Sequence, residues 1–253
     1  MKIIADLHTH TMASGHAYST LMENIHAAKE KRLQFLGLSE HAPALDDAPK
    51  ETYFTNLKVI RKDWDTLHVL YGAELSILNE YGDVDLSAET LVKLDYAIAS
   101  LHYPVFPKEK LPLCTDAAIA AMSNPNVFIL GHPDDALMPL DYKAIIRAAK
   151  RHNVALEVNN SSLCPGSFRE GAVDNYRRML KLAKIMEAPV MISSDSHICY
   201  DVGNFSRALT LLDEINFPKE LVINSSKSRL AGFLEHKKNA ALSASGKPLA
   251  IAV

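Results

Sequence analysis

Basic charge is in short supply in this 253-residue chain: 27 Lys and Arg face 30 Asp and Glu, for a formal net charge of -3. Proteins that hold nucleic acid carry a concentrated basic face, because neutralising phosphates supplies much of their affinity, so no nucleic-acid partner is expected. Cysteine is scarcer still. Cys114, Cys164 and Cys199 are odd in number, far apart and without a CxxC spacing, which argues against a disulfide framework and for reduced thiols. Long apolar runs are missing as well. Asp6 interrupts the N-terminal run after five residues, too early for a signal peptide, and nothing approaches the roughly 20 apolar residues of a membrane span. A cytoplasmic protein without a membrane partner is the expectation. Internal repeats, low-complexity tracts and linker-like stretches are also absent, so residues 1–253 are expected to form one domain.

What the chain does contain is an ordinary globular composition, 48 % hydrophobic and 23 % charged, in a length suited to one large α/β barrel. Short apolar runs alternate with longer amphipathic stretches, the pattern of successive βα units with a parallel sheet. Seven strands are predicted: 3–7 (IIADL), 35–39 (FLGLS), 68–75 (HVLYGAEL), 96–100 (YAIAS), 127–131 (VFILG), 154–158 (VALEV) and 190–194 (VMISS). Their apolar character suits strands covered on both faces. Apolar residues returning every three or four positions predict helices over 21–33, 55–65, 116–123, 142–152, 175–186, 207–215 and 228–242. A short extended piece is expected at 221–224, and the tail from about 243 to 253 shows no period that assigns it to an element.

The first strand ends in His8-Thr9-His10. Residues two apart in an extended chain point the same way, so two such imidazoles can hold one ion. A single HxH is a weak signal, since about 0.5 such pairs arise by composition among 11 His. The pattern repeats, however, at the carboxyl ends of the strands, where a βα barrel builds its active site. His16 lies in the loop after strand one, His41 follows strand two and Glu74 lies in strand three; His102 follows strand four, His132 strand five, and Asp195 and His197 strand seven. Six of the seven strand ends thus carry a metal-competent group and hold 7 of the 11 His, whereas His26, His68, His152 and His236 fall in helices or at strand starts. Imidazoles crowded at one rim repel one another if protonated and are poorly solvated if buried, and bound cations relieve both problems. Seven imidazoles and two carboxylates exceed the three or four protein ligands of one catalytic zinc, so two or three ions are expected. Glu74 and Asp195 can each bridge ions through two oxygens. Nitrogen-rich ligation favours zinc, manganese or iron over magnesium or calcium.

These motifs, HTH at 8–10, His16, SEH at 39–41, the Glu of YGAEL at 74, SLH at 100–102, GHP at 131–133 and SDSH at 194–197, together resemble the PHP superfamily, named for polymerase and histidinol phosphatase. Length and the ALEVNNSS stretch make the chain most similar to the small stand-alone YcdX-like phosphatase group, with the likeness running over roughly residues 1–240. The resemblance implies a distorted (β/α)7 barrel and a trinuclear site of divalent transition-metal ions, commonly zinc. Carried onto this chain, it gives the first ion His8, His10, Glu74 and Asp195, the second Glu74, His102 and His132, and the third His16, His41 and His197. His16, in a loop, rests on the resemblance more than on strand position.

Neighbouring ions can hold a hydroxide with a pKa near neutrality and clamp phosphoryl oxygens. That favours in-line hydrolysis of a small phosphate monoester, with Glu74, Asp195 and His197 as catalytic residues and no Ser or Cys nucleophile. Strand six ends instead in Asn159 and Asn160, whose amides either donate to substrate or brace a loop; Arg169 beyond them either holds a phosphate in two places or is a solvated surface charge. Lys108 and Lys110 have the same two readings, anion guidance or solvated charge. Ser161-Ser162 and Ser193-Ser194 lack a GxSxG elbow and fit turn chemistry. A nuclease acting on oligonucleotide ends and an amidohydrolase-type enzyme are the alternatives, and a homo-oligomer is compatible with the chain.

Overall fold

The computed structural model describes residues 1–244. The unassigned tail therefore lies outside the described residues from 245 onward, and its first two residues end the last helix. Nine strands are present among the described residues: β1 Ala5–Asp6, β2 Phe35–Leu38, β3 Asp63–Trp64, β4 Leu67–Tyr71, β5 Glu74–Ser76, β6 Ala97–Ser100, β7 Val127–Leu130, β8 Ala155–Asn159 and β9 Val190–Ser193. They form two sheets, ordered β1-β2-β4-β3 and β5-β6-β7-β8-β9. All pairings are parallel except β3 with β4, so the expected α/β class with parallel strands is what the chain adopts. The ladders do not run continuously around the molecule. Single parallel bridges, His41 to Glu74 and Thr9 to Ser196, join the two sheets at their margins.

The third predicted strand is cut in two, because Gly72-Ala73 separate β4 from β5 and send them to different sheets. The break sits against the buried ring of Tyr96. A Cβ at Gly72 would lie 2.4 Å from its Cζ and one at Gly37 1.9 Å from its hydroxyl, so only glycine lets the ring reach Leu7, whose carbonyl accepts from the phenol at 2.6 Å. The predicted helix over 55–65 also fails: α2 covers only Glu51–Thr55, and the apolar residues beyond it lead into β3, which turns at Asp65 (φ 61°) and pairs with β4. The piece at 221–224 straddles two 3-10 turns, Lys219–Leu221 and Ile223–Ser225, and touches the sheet through one bridge, Val190 to the extended Val222 between them. The remaining helices are α1 Leu21–Glu30, α3 Ala88–Leu91, α4 Cys114–Met122, α5 Tyr142–His152, α6 Ala172–Met186, α7 Ser206–Ile215 and α8 Lys227–Ala244; of these, α3 was not expected from periodicity.

Alternation along the strands explains where the polar groups go. On β6, Ile98 precedes Ser100 and then His102; on β8, Ala155 precedes Glu157 and Asn159; on β9, Met191 precedes Ser193 and Asp195. Side chains two apart share a face, so one face of each strand passes from apolar at its amino end to polar at its carboxyl end. Ile98, Ala155 and Met191 join Phe128 and the α8 residues Leu230 and Phe233 in one buried cluster, while the opposite strand faces pack on the helices in a larger one. The polar ends are thereby collected on a shared floor. No helix among the described residues is long and apolar enough to cross a membrane.

Candidate metal centre

Glu74, 1 % exposed, is the hub of that floor. Its Oε1 accepts from Ser100 Oγ at 2.7 Å and lies 3.1 Å from His102 Nε2 and 2.8 Å from His132 Nε2. Its Oε2 lies 3.2 Å from His8 Nε2, 3.5 Å from His10 Nε2 and 2.8 Å from His41 Nδ1. Asp195 Oδ1 approaches the same two nitrogens, His8 Nε2 at 3.4 Å and His10 Nε2 at 3.2 Å. Toward the mouth, His16 and His197 aim their Nε2 atoms at each other across 3.0 Å. The imidazoles pack closely, with ring centroids of His10 and His41 stacked 4.3 Å apart and of His10 and His197 tilted 4.4 Å apart. All nine sequence-predicted ligands therefore converge.

Four of the innermost atoms, His8 Nε2, His10 Nε2, His41 Nδ1 and Glu74 Oε2, are buried without an aligned hydrogen-bond partner. Buried polar atoms without partners are costly, and here they face one another at ion-pair distances. Three groups have ligand atoms all within 4.8 Å: His8, His10 and Glu74; His41, Glu74 and His102; His10, His41 and His197. The donor set, imidazole nitrogens around a carboxylate, fits transition-metal ions. These groups differ in detail from the sets implied by resemblance, since His41 is shared between two of them and His16 is in none.

The outer ring nitrogens of His8, His10, His16 and His102 are tied down by hydrogen bonds that set which nitrogen points inward. Glu157 Oε1 lies 2.6 Å from His8 Nδ1, Asp47 Oδ2 2.6 Å from His16 Nδ1 and Ser76 Oγ 2.9 Å from His102 Nδ1. Ser14 Oγ lies 3.3 Å from His10 Nδ1 and itself donates to Glu40 at 2.6 Å. Glu157, Glu40 and Asp47 were missed by sequence reasoning. Glu157 did carry a signal, as the one charged residue inside the apolar strand VALEV, where an unpaired carboxylate would not be tolerated.

Charge follows this arrangement. Burial opposes ionisation of Glu74, but His8, His102 and His41 outweigh it and hold the carboxyl well below its usual range. Asp195 is likewise held well below, against burial, by His8, His10 and Arg169. Burial pulls His8 down, yet Glu157, Glu74 and Asp195 raise it well above the ordinary histidine value, and Glu74 raises His41 in the same way. Burial with the neighbouring His41 and His197 drives His10 well below, and burial with Arg169 brings His132 down to about 4. Asp195 (φ 54°) and His132 (φ 23°) both adopt left-handed backbone at strand ends, a conformation that concentrates at functional sites.

The three residues expected to contact substrate part company. Arg169 is half-buried at the floor's edge with its side chain 8 % exposed, its Nη1 donating to Ser162 Oγ at 3.0 Å and Asp195 Oδ2 at 3.3 Å. Asn159 donates to Asp195 Oδ2 at 2.9 Å and accepts from Ser162 N, so it links Asp195 to the loop. Asn160 accepts from the N–H groups of Arg207 and Ala208 and braces α7. Lys110 is engaged with Glu80 at 2.5 Å. A cleft of about 480 Å³ opens above the floor and is lined by His16, His41, His102, His132, Arg169, Asp195 and His197 together with apolar residues.

The profile of the PHP domain matches residues 6–161. A probable phosphatase of Clostridium acetobutylicum is 43 % identical over 238 residues, covering 94 % of this chain and 96 % of the relative. The probable phosphatase YcdX of Escherichia coli is 39 % identical over 232 residues, covering 92 % and 94 %. Among solved structures, histidinol phosphate phosphatase of Lactococcus lactis, complexed with zinc, L-histidinol and phosphate, superposes with a TM-score of 0.63 at 18 % identity, over 85 % of this chain and 94 % of that one, a likeness of fold.

Proposed function

The chain belongs to the PHP domain family, and from that premise we propose that it is a metal-dependent phosphatase acting on a small phosphate monoester at a site of three divalent ions, zinc foremost. The observation that carries the reading is the convergence of four buried polar atoms without hydrogen-bond partners, on His8, His10, His41 and Glu74, beneath an open cleft that His41 also lines. His8, His10, Glu74 and Asp195 would hold one ion, Glu74, His102 and His132 a second, and His16, His41 and His197 the third. Such ions, when bound, supply Lewis acidity toward phosphoryl oxygens and make a water nucleophilic near neutral pH.

The chain's own groups do the rest. Glu74 offers each of its oxygens to a different set of imidazoles, so it fixes the spacing of two subsites. Asp195 is kept ionised beside Arg169, whose fork has further donors for a phosphoryl oxygen once Nη1 is committed. His197, which lines the cleft, would meet the departing alcohol side of a substrate. We place in the same reading the distorted (β/α)7 barrel, a single domain and a reduced, cytoplasmic setting; Cys114, Cys164 and Cys199 are all free.

Elemental analysis of purified protein, paired with a screen of phosphate monoesters against phosphodiesters, amides and lactones, tests the proposal. Two to three transition-metal ions per chain and monoester hydrolysis are expected. One ion or fewer would remove the trinuclear site, and preference for oligonucleotides or amides would replace the reaction.

A further inference from the structure

Resting on the reading of the cluster as a metal site, we infer that Glu40 is a positioning residue: acting through Ser14, it keeps the hydrogen of His10 on Nδ1 and so leaves Nε2 free to take an ion. Glu40 is 1 % exposed and stands one residue before His41, but its oxygens serve the loop after β1. Thr11 N–H donates to Oε1 at 3.1 Å and to Oε2 at 3.0 Å, Thr11 Oγ1 donates to Oε1 at 2.6 Å, and Ser14 Oγ donates to Oε2 at 2.6 Å. Thr11 Oγ1 itself accepts from Ala13 N–H at 3.2 Å. A carboxylate has lone pairs for all these donors and no hydrogen to return.

The hydrogen count at Ser14 then fixes His10. A hydroxyl has one hydrogen and two lone pairs. Ser14 Oγ gives its hydrogen to Glu40, accepts from the His41 backbone N–H at 3.1 Å and lies 3.3 Å from His10 Nδ1. The lone pair that remains can meet Nδ1 only if that nitrogen carries hydrogen, which leaves the ring's other lone pair on Nε2. Glu74 and Asp195 pull the opposite way. Their oxygens lie 3.5 Å and 3.2 Å from His10 Nε2 and would accept a hydrogen there, yet Nε2 has no aligned hydrogen-bond partner. Neutral imidazole carries hydrogen on one nitrogen and binds metal through the other. Glu40 thus opposes the two carboxylates that would otherwise block the ligand atom.

The test locates the ring hydrogen by nitrogen NMR of histidine-labelled, metal-free protein at alkaline pH, with the signals of His10 identified by their loss in His10→Gln. Wild type is expected to carry it on Nδ1. In Glu40→Gln the amide oxygen stays with the two donors of Thr11 and the NH2 group donates to Ser14, whose own hydrogen then turns to His10 Nδ1, so the ring hydrogen should move to Nε2. Ser14→Ala removes the acceptor and should give the same move. Zinc affinity, read by competition with a chelating dye, is expected to fall about 10–100-fold in either variant and no further when the two are combined. A wild-type hydrogen on Nε2, a hydrogen unmoved in Glu40→Gln, or additive losses in the double variant would overturn the inference. Wild type with its hydrogen on Nδ1 but no affinity for zinc would instead overturn the metal-site reading beneath it.

Discussion

Gly131 shows how little room the site leaves. A Cβ there would stand 2.1 Å from Ser100 Oγ and 2.8 Å from Ile98 Cγ2, and Ser100 Oγ is the donor that steadies Glu74 Oε1. Gly131→Ala is therefore expected to lower stability by about 1–3 kcal/mol, read from urea unfolding, and to weaken metal retention as well. Adding Ser100→Ala removes the nearer clash and should recover part of the stability but none of the metal retention. The ligands themselves are unequal. Glu74 contacts both inner sets of imidazoles, whereas His16 is half-exposed at the mouth. Glu74→Gln is expected to lower kcat on the order of 100-fold or more and to empty the inner subsites, against a loss on the order of tenfold for His16→Ala. Equal losses with unchanged metal content would contradict that division.

At the scale of elements, strands collect the ligands and the residues behind them hold the rings. Glu157 on β8 joins two strand ends, its Oε1 at His8 Nδ1 and its Oε2 accepting from the His132 backbone N–H. Glu157→Gln keeps the shape but weakens the bond that directs His8 Nε2 inward, so metal affinity, read by competition with a chelating dye, is expected to fall about 10–100-fold. Unchanged affinity would make Glu157 a packing residue only. The candidate ligands other than His16, which lies in a loop, were legible because they stand at or just past the end of an apolar run, and a strand end is a position that local pattern marks. Glu40, Asp47 and Glu157 were less so, since their partners lie 31 residues away for Asp47 and 149 for Glu157, and only folding joins them. The split between β4 and β5 was hidden for a similar reason: HVLYGAEL reads as one strand until the ring of Tyr96 is seen against Gly72. The helix expected over 55–65 failed because β-branched and aromatic residues there also suit an edge hairpin, and contact with β4 decided between them.

For the molecule as a whole, protons and metal ions compete for one site. His8 and His41 have pKa values raised in the metal-free fold; burial opposes this, but the carboxylates around them prevail. A histidine raised above its unfolded value of about 6.5 stabilises the metal-free fold fully below that pH and loses the contribution as pH climbs through the folded pKa. Metal binding needs the same imidazoles neutral, so it gains as that contribution fades. The difference in Tm between zinc-loaded and chelator-treated protein should thus widen between pH 6 and pH 8. With zinc near 100 times its Kd the stabilisation is about 2.7 kcal/mol, which for a chain of this length corresponds to a rise of roughly 5–10 °C at the alkaline end. Activity should follow the same limb, falling steeply below pH 6.5 because more than one proton displaces each ion, vanishing with a chelator and returning with zinc or manganese. A Tm difference that is constant or shrinks as pH rises would mean that the carboxylates hold protons on His8 and His41 more firmly than they hold metal, and the cluster would then be a buried ion-pair network.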